Sequence, residues 1–383
     1  KDELKKEIST VLAVDPNPFL DKLAKSKYQY DSLSGLFLEN SLHKLKTYLS
    51  KSTFKAITRI PKLELFSSMN HSNKKLNHPK LTQLFNRYAT YNGSSPFKAP
   101  GVMNMIPHLE HNIGTFFPQN GMVQIRDTLL KLAVDSGVEI VLNTQAVQIE
   151  HENRVVRSVI SNSGRHKADV VVCNSDIHQA YKQLLPDEHL SPKQKNQEAS
   201  SSALIFYWGI NKSFPELHLH NMFFAENYEE EFECLFTSKQ LHSDPSIYVN
   251  ITSKINKKDA PEGKENWFVM INAPSSKEGL SRENIAKAKE HILKKLSSHL
   301  SCNISDHIEE EELLSPQLIQ SKTGSHMGAL YGSSSNNRNS AFLRHPNFHS
   351  KIKGLYFAGG SVHPGGGIPL CLLSAKIIND LVD

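Results

Sequence analysis

Cysteine is scarce in this chain, and the four present, Cys173, Cys234, Cys302 and Cys371, stand far apart with no Cys-x-x-Cys pair. That spacing excludes a disulfide framework and a cysteine-ligated zinc site, and it suits a reducing compartment. His108 and His111, and His218 and His220, lie near Glu110 and Glu216 but match no recognised metal spacing, so no metal is expected. There is no Gly-x-Ser-x-Gly turn and no clear cysteine–histidine pair to supply a covalent nucleophile. No apolar run approaches the length of a membrane span. Basic residues are dispersed, not interleaved with aromatics on one stripe, and the net charge is only +5, which argues against nucleic-acid binding. Glycine is missing where it would be most telling. Gly35 is the only one before Gly93, so no Gly-x-Gly-x-x-Gly dinucleotide turn opens the chain.

What is present is ordinary in bulk and specific in one place. A length of 383 residues, 38% hydrophobic and 22% charged, suits two soluble domains or one domain with a large insertion. The specific place is the run from Gly354 to Pro369. Leu355–Ala358 reads as a short buried strand. Gly359 and Gly360 allow a sharp turn, and Gly365, Gly366 and Gly367 make a loop that a ligand can approach closely. Pro369 suits the first turn of a helix, continued by Leu370, Leu373, Ile377 and Leu381 at helical spacing. A helix N-terminus behind glycines stabilises an electron-rich ligand atom.

Upstream, periodicity predicts a helix over 121–136 with Met122, Ile125, Leu129 and Leu132 on one face and Gly137 as its cap. A strand over 138–142, a hairpin of 146–150 with 154–160 turning at Glu152-Asn153, and a strand over 169–173 follow. Strand-like runs recur at 203–208, 247–252 and 267–271, and a helix is expected over 283–300 with Ser281 as its N-cap. The acidic run Glu309–Glu312 reads as a solvated face.

The pattern Gly-x-Tyr-Phe-x-Gly-Gly-Ser-x-His-Pro-Gly-x-Gly-Ile from Gly354 to Ile368, followed by Ser374, resembles the C-terminal signature of the bacterial-type phytoene desaturases, the flavin-dependent carotenoid desaturases. Two further blocks are similar to that family in the same order. One is Asn86–Pro96 with Pro107–Glu110 and Pro118–Met122, and the other is Ser200–Gly209.

The resemblance implies an α/β chain in which a partial FAD/NAD(P)-binding Rossmann-like domain carries an inserted α+β substrate-binding domain. The expected parts are cap helices and a pocket segment at 1–117, flavin-domain parts at 118–180 and 344–383, and the substrate-binding domain at 181–343. Because relatives carry the dinucleotide turn further upstream, the chain is expected to be a fragment lacking the first βαβ unit.

The implied cofactor is FAD, held by Val147, Cys173, Asn174, Gly359, Gly360, Gly365, Gly366, Gly367 and Ile368. Val147 and Cys173 read equally well as sheet core. The implied substrate is a C40 carotenoid, with Tyr88, Tyr91, Phe206 and Trp208 as pocket residues. His363 is a candidate for orienting the flavin or taking a proton, or is simply a turn histidine. Arg87 is a candidate for stabilising developing charge, or pairs with Glu110. The implied activity is removal of hydrogen from a polyene by hydride transfer to flavin. A carotenoid cis–trans isomerase and a non-catalytic lipid-binding protein remain as alternatives. An insoluble substrate implies a cytoplasmic protein attached peripherally to a membrane surface.

Overall fold

The computed structural model describes residues 2–49, 51–59 and 63–382. The chain divides into two compact units. One comprises Lys1–Thr115, Gln145–Ser200 and Gly324–Asp383; the other comprises Phe116–Thr144 and Ser201–Thr323.

The first unit begins with helices. The longest, Asn17–Phe37, buries Phe19, Leu23, Ser26, Gln29, Leu33 and Leu36 at spacings of three and four, so one stripe faces inward. Phe19 meets Phe85 edge to face at 5.8 Å, within a core that also holds Met69, Leu81 and Tyr88. Three antiparallel strands follow, β1 (Ala146–Glu152), β2 (Val155–Ser161) and β3 (Gly164–Lys167). The β1–β2 turn lies at Asn153-Arg154, one residue later than expected. Both residues are left-handed, with φ of 51° and 65°, as a two-residue hairpin matching strand twist requires. The strand expected over 169–173 is β4 (Val171–Cys173). It pairs in parallel with the C-terminal strand Leu355–Phe357, placing Cys173 beside Phe357.

The second unit is built on one antiparallel sheet. Its strands are β5 (Ser202–Ile210), β6 (His220–Phe223), β7 (Ile247–Asn250), β8 (Glu265–Ala273) and β9 (Ile308–Leu314), in the order β6-β7-β8-β5-β9. Trp208 of β5 and Trp267 of β8 are direct cross-strand partners, both buried. The helix Arg282–His299, capped by Ser281 as expected, covers this core through Ala288, Ile292 and Leu296. The acidic run Glu309–Glu312 is exposed, the solvated face expected of it, and lies on an edge strand. Its charges discourage further pairing, and Glu311 accepts the Trp208 indole N–H at 2.6 Å.

Over 121–142 one expectation holds and one changes. The helix Val123–Asp135 forms, followed by Gly137 at φ 78°, yet it buries no residue, and Leu129 and Leu132 are exposed. Helical spacing forms a helix; burial needs a partner face. The strand expected over 138–142 does not form. Val138, Ile140, Val141 and Leu142 are exposed, and no ladder includes them among the described residues. A strand exists only through a neighbour that takes its N–H and C=O groups. Among the described residues, no helix is long and apolar enough to cross a membrane.

Candidate functional site: a glycine-walled cavity in the first unit

The closing strand of the first unit, labelled β10 (Leu355–Phe357), runs into the glycine loop and then the helix Ile368–Asn379. Gly359 has φ 102°, and a Cβ there would lie 2.6 Å from Asn174 Oδ1, so glycine is required twice over. Its amide donates to Ser374 Oγ at 2.9 Å, and that hydroxyl donates to the Cys371 carbonyl at 2.6 Å. Ser374 thus ties the turn to the helix that follows it. Gly360 approaches the Cα of Gly366, and Gly366 packs against the backbone of Tyr331. At Gly367, φ is 98° and a Cβ would meet nothing, because that face opens on space.

The space is a cavity of about 310 Å³. Gly365, Gly366, Gly367, His363 and Arg344 form one side. Apolar side chains from the helical part, among them Phe37, Met105, Leu109 and Phe342, form another, with Tyr91 and Asn92 between. The first turn of the helix Ile368–Asn379 leaves amides without intrahelical partners, and its dipole is positive at that end.

Three polar residues of this wall stand out, one a cation without a counter-ion and two with unpartnered atoms. Arg344 is 3% exposed and donates to the Tyr331 carbonyl at 2.7 Å, but among the described residues it has no carboxylate partner. Burial lowers its pKa to about 10, so it stays charged at neutral pH. A buried cation without an anion is costly, by several kcal/mol in order of magnitude. Asn92 has no partner for either its amide nitrogen or its oxygen. His363 Nε2 lies 2.9 Å from the Asn40 carbonyl, so it carries the hydrogen, leaving Nδ1 as a bare acceptor with no partner. Burial takes the His363 pKa down to about 4. The ring is neutral and a weak proton acceptor.

At the rim, Arg87 Nη2 lies 3.3 Å from Glu110 Oε1, the pairing expected of it. Tyr88 and Tyr91 also donate to Glu110, at 2.8 Å each. Burial would raise the Glu110 pKa, but Arg87 and these hydroxyls outweigh it and hold the carboxyl below its ordinary range. Burial would likewise lower the Arg87 pKa, and Tyr91, Tyr88 and Glu110 raise it instead.

The structure gathers Tyr91, His363, Gly365, Gly366 and Gly367 around the cavity, with Tyr88 and Arg87 behind Tyr91. Gly359, Gly360 and Asn174 brace the turn beneath, and Ile368 opens the helix. Cys173 is buried in β4, in a core with Leu355 and Phe357, while Val147 is exposed on β1. Phe206 and Trp208 do not line this cavity. Alternation along β5 turns both into the sheet core of the second unit, against Trp267 and Ile292. Sequence reasoning missed Arg344 and Asn92. Arg344 is signalled only as a single base after the apolar run Ala341-Phe342-Leu343, and Asn92 only by its place in the Arg87–Ser95 block.

The family model for flavin containing amine oxidoreductases matches residues 37–382. The chain is 54% identical over 361 residues to a 1-hydroxycarotenoid 3,4-desaturase of Flavobacterium sp. (strain P99-3), covering 94% of this chain and 74% of that protein. It is 30% identical over 327 residues to a phytoene desaturase of Fusarium fujikuroi, covering 79% of this chain and 57% of that protein. In fold it is similar to an oxidoreductase from Methanosarcina mazei, with a TM-score of 0.55, 15% identity, and coverage of 89% of this chain and 73% of that one. The glycine turn, the cavity and these matches agree: the chain belongs to the flavin-containing amine oxidoreductase family, in its carotenoid desaturase branch.

Proposed function

We propose that the protein is an FAD-dependent carotenoid desaturase, and that the branch acting on hydroxylated carotenoids at the 3,4 bond describes it best. The observation that carries the reading is the mixed wall of one cavity: a bare acceptor at His363 Nδ1, an unpartnered amide at Asn92 and an uncompensated Arg344, set among hydrocarbon side chains. A hydrocarbon alone satisfies none of these polar groups. A flavin ring, with one imide donor and two carbonyl acceptors, is the polar ligand such a wall calls for, and an apolar polyene suits the rest of the lining.

Bound there, FAD supplies a two-electron acceptor able to take a hydride from carbon. Gly365, Gly366, Gly367 and Ile368 let the backbone approach it, and Arg344 with the helix dipole stabilises added negative charge. His363 and Asn92 fix orientation. Phe37, Met105, Leu109 and Phe342 exclude water and position the saturated carbons. The test is the mass of the product formed from a hydroxylated carotenoid by the FAD-loaded protein. Loss of two hydrogens supports desaturation; a product of unchanged mass and altered geometry identifies an isomerase; no product sinks both.

We further propose attachment to a lipid surface. Leu45, Leu49 and Phe54 are 86%, 89% and 72% exposed, and the sequence interleaves them with Lys44, Lys46, Lys51 and Lys55. Apolar anchors fringed by lysines suit an anionic interface. Flotation with anionic liposomes is expected for the wild type and reduced for a Leu45→Ser, Leu49→Ser, Phe54→Ser variant. A wild type that stays wholly in the soluble fraction contradicts it.

A further inference from the structure

Desaturation releases a proton as well as a hydride, and His363 is one group in the cavity wall that could meet it. The first unit holds another route. Residues Arg87–Asn92 form a 3₁₀ turn, in which side chains three apart eclipse. Tyr88 and Tyr91 are three apart, and both reach one carboxylate. Tyr91 Oη donates to Glu110 Oε2 and Tyr88 Oη to Glu110 Oε1, each at 2.8 Å. A wide π turn over Leu109–Ile113 lets the next residue, His111, face the same cluster, with Nε2 2.8 Å from Tyr88 Oη. Arg87 stacks over both phenols, 4.9 Å from the Tyr88 ring and 5.4 Å from that of Tyr91. Only Tyr91 of this set lines the cavity. A purely structural ion pair has no need of a cavity-facing phenol at one end and a histidine at the other.

We propose that Tyr91, Glu110, Tyr88 and His111 form a relay that carries the substrate proton out of the cavity, with Tyr91 as the catalytic residue and the other three positioned behind it. The inference rests on the desaturase reading. As a hydride leaves one substrate carbon for the flavin, the hydrogen on the neighbouring carbon becomes acidic. That C–H bond breaks, its electron pair forms the new C=C bond, and its proton goes to Tyr91 Oη. The proton Tyr91 held passes to Glu110 Oε2. With the Tyr88 hydroxyl swung from Glu110 to a His111 that carries its hydrogen on Nδ1, the carboxyl group turns and passes that proton to the Tyr88 oxygen as Tyr88 gives its own to His111 Nε2. One proton enters at Tyr91 and one leaves at His111. Arg87 keeps Glu110 ionised between turnovers and holds both rings in line.

The test compares wild type, Tyr91→Phe and Glu110→Gln as FAD-loaded proteins. Tyr91→Phe removes one oxygen from a partly exposed ring and leaves the packing intact. A fall in kcat of about 100-fold is expected, the scale of a lost general base, with KM and bound flavin unchanged. Wild type is expected to show a solvent deuterium isotope effect with a curved proton inventory, since several protons move. In Glu110→Gln the inventory becomes linear. Wild-type kcat in Tyr91→Phe, or losses that merely follow flavin content or melting temperature, overturns the relay while desaturation stands. A wild type that makes no desaturated product overturns the desaturase reading, and the relay with it.

Discussion

Acidification from pH 7 to pH 4 is expected to cost the protein about 6 kcal/mol of stability through two histidines alone. Burial takes the pKa of both His345 and His363 down to about 4. The folded state therefore keeps both rings neutral near pH 7. His345 donates from Nδ1 to the Pro346 carbonyl at 2.7 Å and accepts from the Tyr181 hydroxyl at Nε2, 3.2 Å away. An unfolded histidine takes up a proton below about pH 6.5. The depressed folded pKa sets the sign. The stabilisation is complete above pH 6.5, erodes as pH falls, and is exhausted once pH passes the folded value near 4. Each contributes about 3 kcal/mol at that point, and the sum rivals the whole stability of an ordinary domain. Urea midpoints measured at intervals from pH 7 to pH 4 check it. The fall should begin between pH 6.5 and 5, before ordinary carboxylates titrate. A midpoint that is flat to pH 5 and drops only below pH 4.5 would assign acid unfolding to carboxylates instead.

Alanine at either of two adjacent glycines is expected to cost flavin, by different routes. A Cβ at Gly366 would lie 2.8 Å from the Cα and Cβ of Tyr331. Tyr331 cannot give way freely, because its amide donates to Ser200 Oγ and its carbonyl receives Arg344. Gly366→Ala should therefore cost about 1–3 kcal/mol of stability, displace Arg344 and lose the flavin. Gly367 is the opposite case: its Cβ would meet no protein atom, but it would stand in the open space of the cavity wall. The φ of 98° adds strain of about 1–3 kcal/mol at most. Gly367→Ala should fold with a modest loss of melting temperature yet retain at least about tenfold less flavin, the equivalent of about 1.4 kcal/mol of binding. Thermal melts are read beside bound-flavin absorbance, and the flavin lost from Gly367→Ala, whose Cβ meets no protein atom, is the readout that reports on the cavity. Full flavin retention in Gly367→Ala would place the cofactor elsewhere.

The parts of the site legible in the sequence were those encoded locally. The strand, glycine turn and helix from Leu355 to Asn379 follow from residue types whose backbone demands do not depend on distant partners. The Ser281 cap and the hairpin before Val155 were legible for the same reason. What depends on distant neighbours was not. Phe206 and Trp208 have the composition of pocket aromatics, and only the pairing of β5 with β8 shows that they face a core. The run 138–142 has strand composition without a strand's partner. Arg344 is one base among many in the sequence; it becomes a site residue because folding buries it beside glycines and away from every carboxylate that could pair with it among the described residues. Glu110 was visible as a partner for Arg87, but its link to two phenols and a histidine arises from a 3₁₀ turn and a π turn that composition does not announce.

The most direct test of the central claim is one anaerobic turnover of the FAD-loaded protein with a hydroxylated carotenoid, following flavin absorbance and product mass together. The account predicts one flavin bleached for each double bond formed and a product lighter by two hydrogens. Product of unchanged mass with the flavin still oxidised would contradict it.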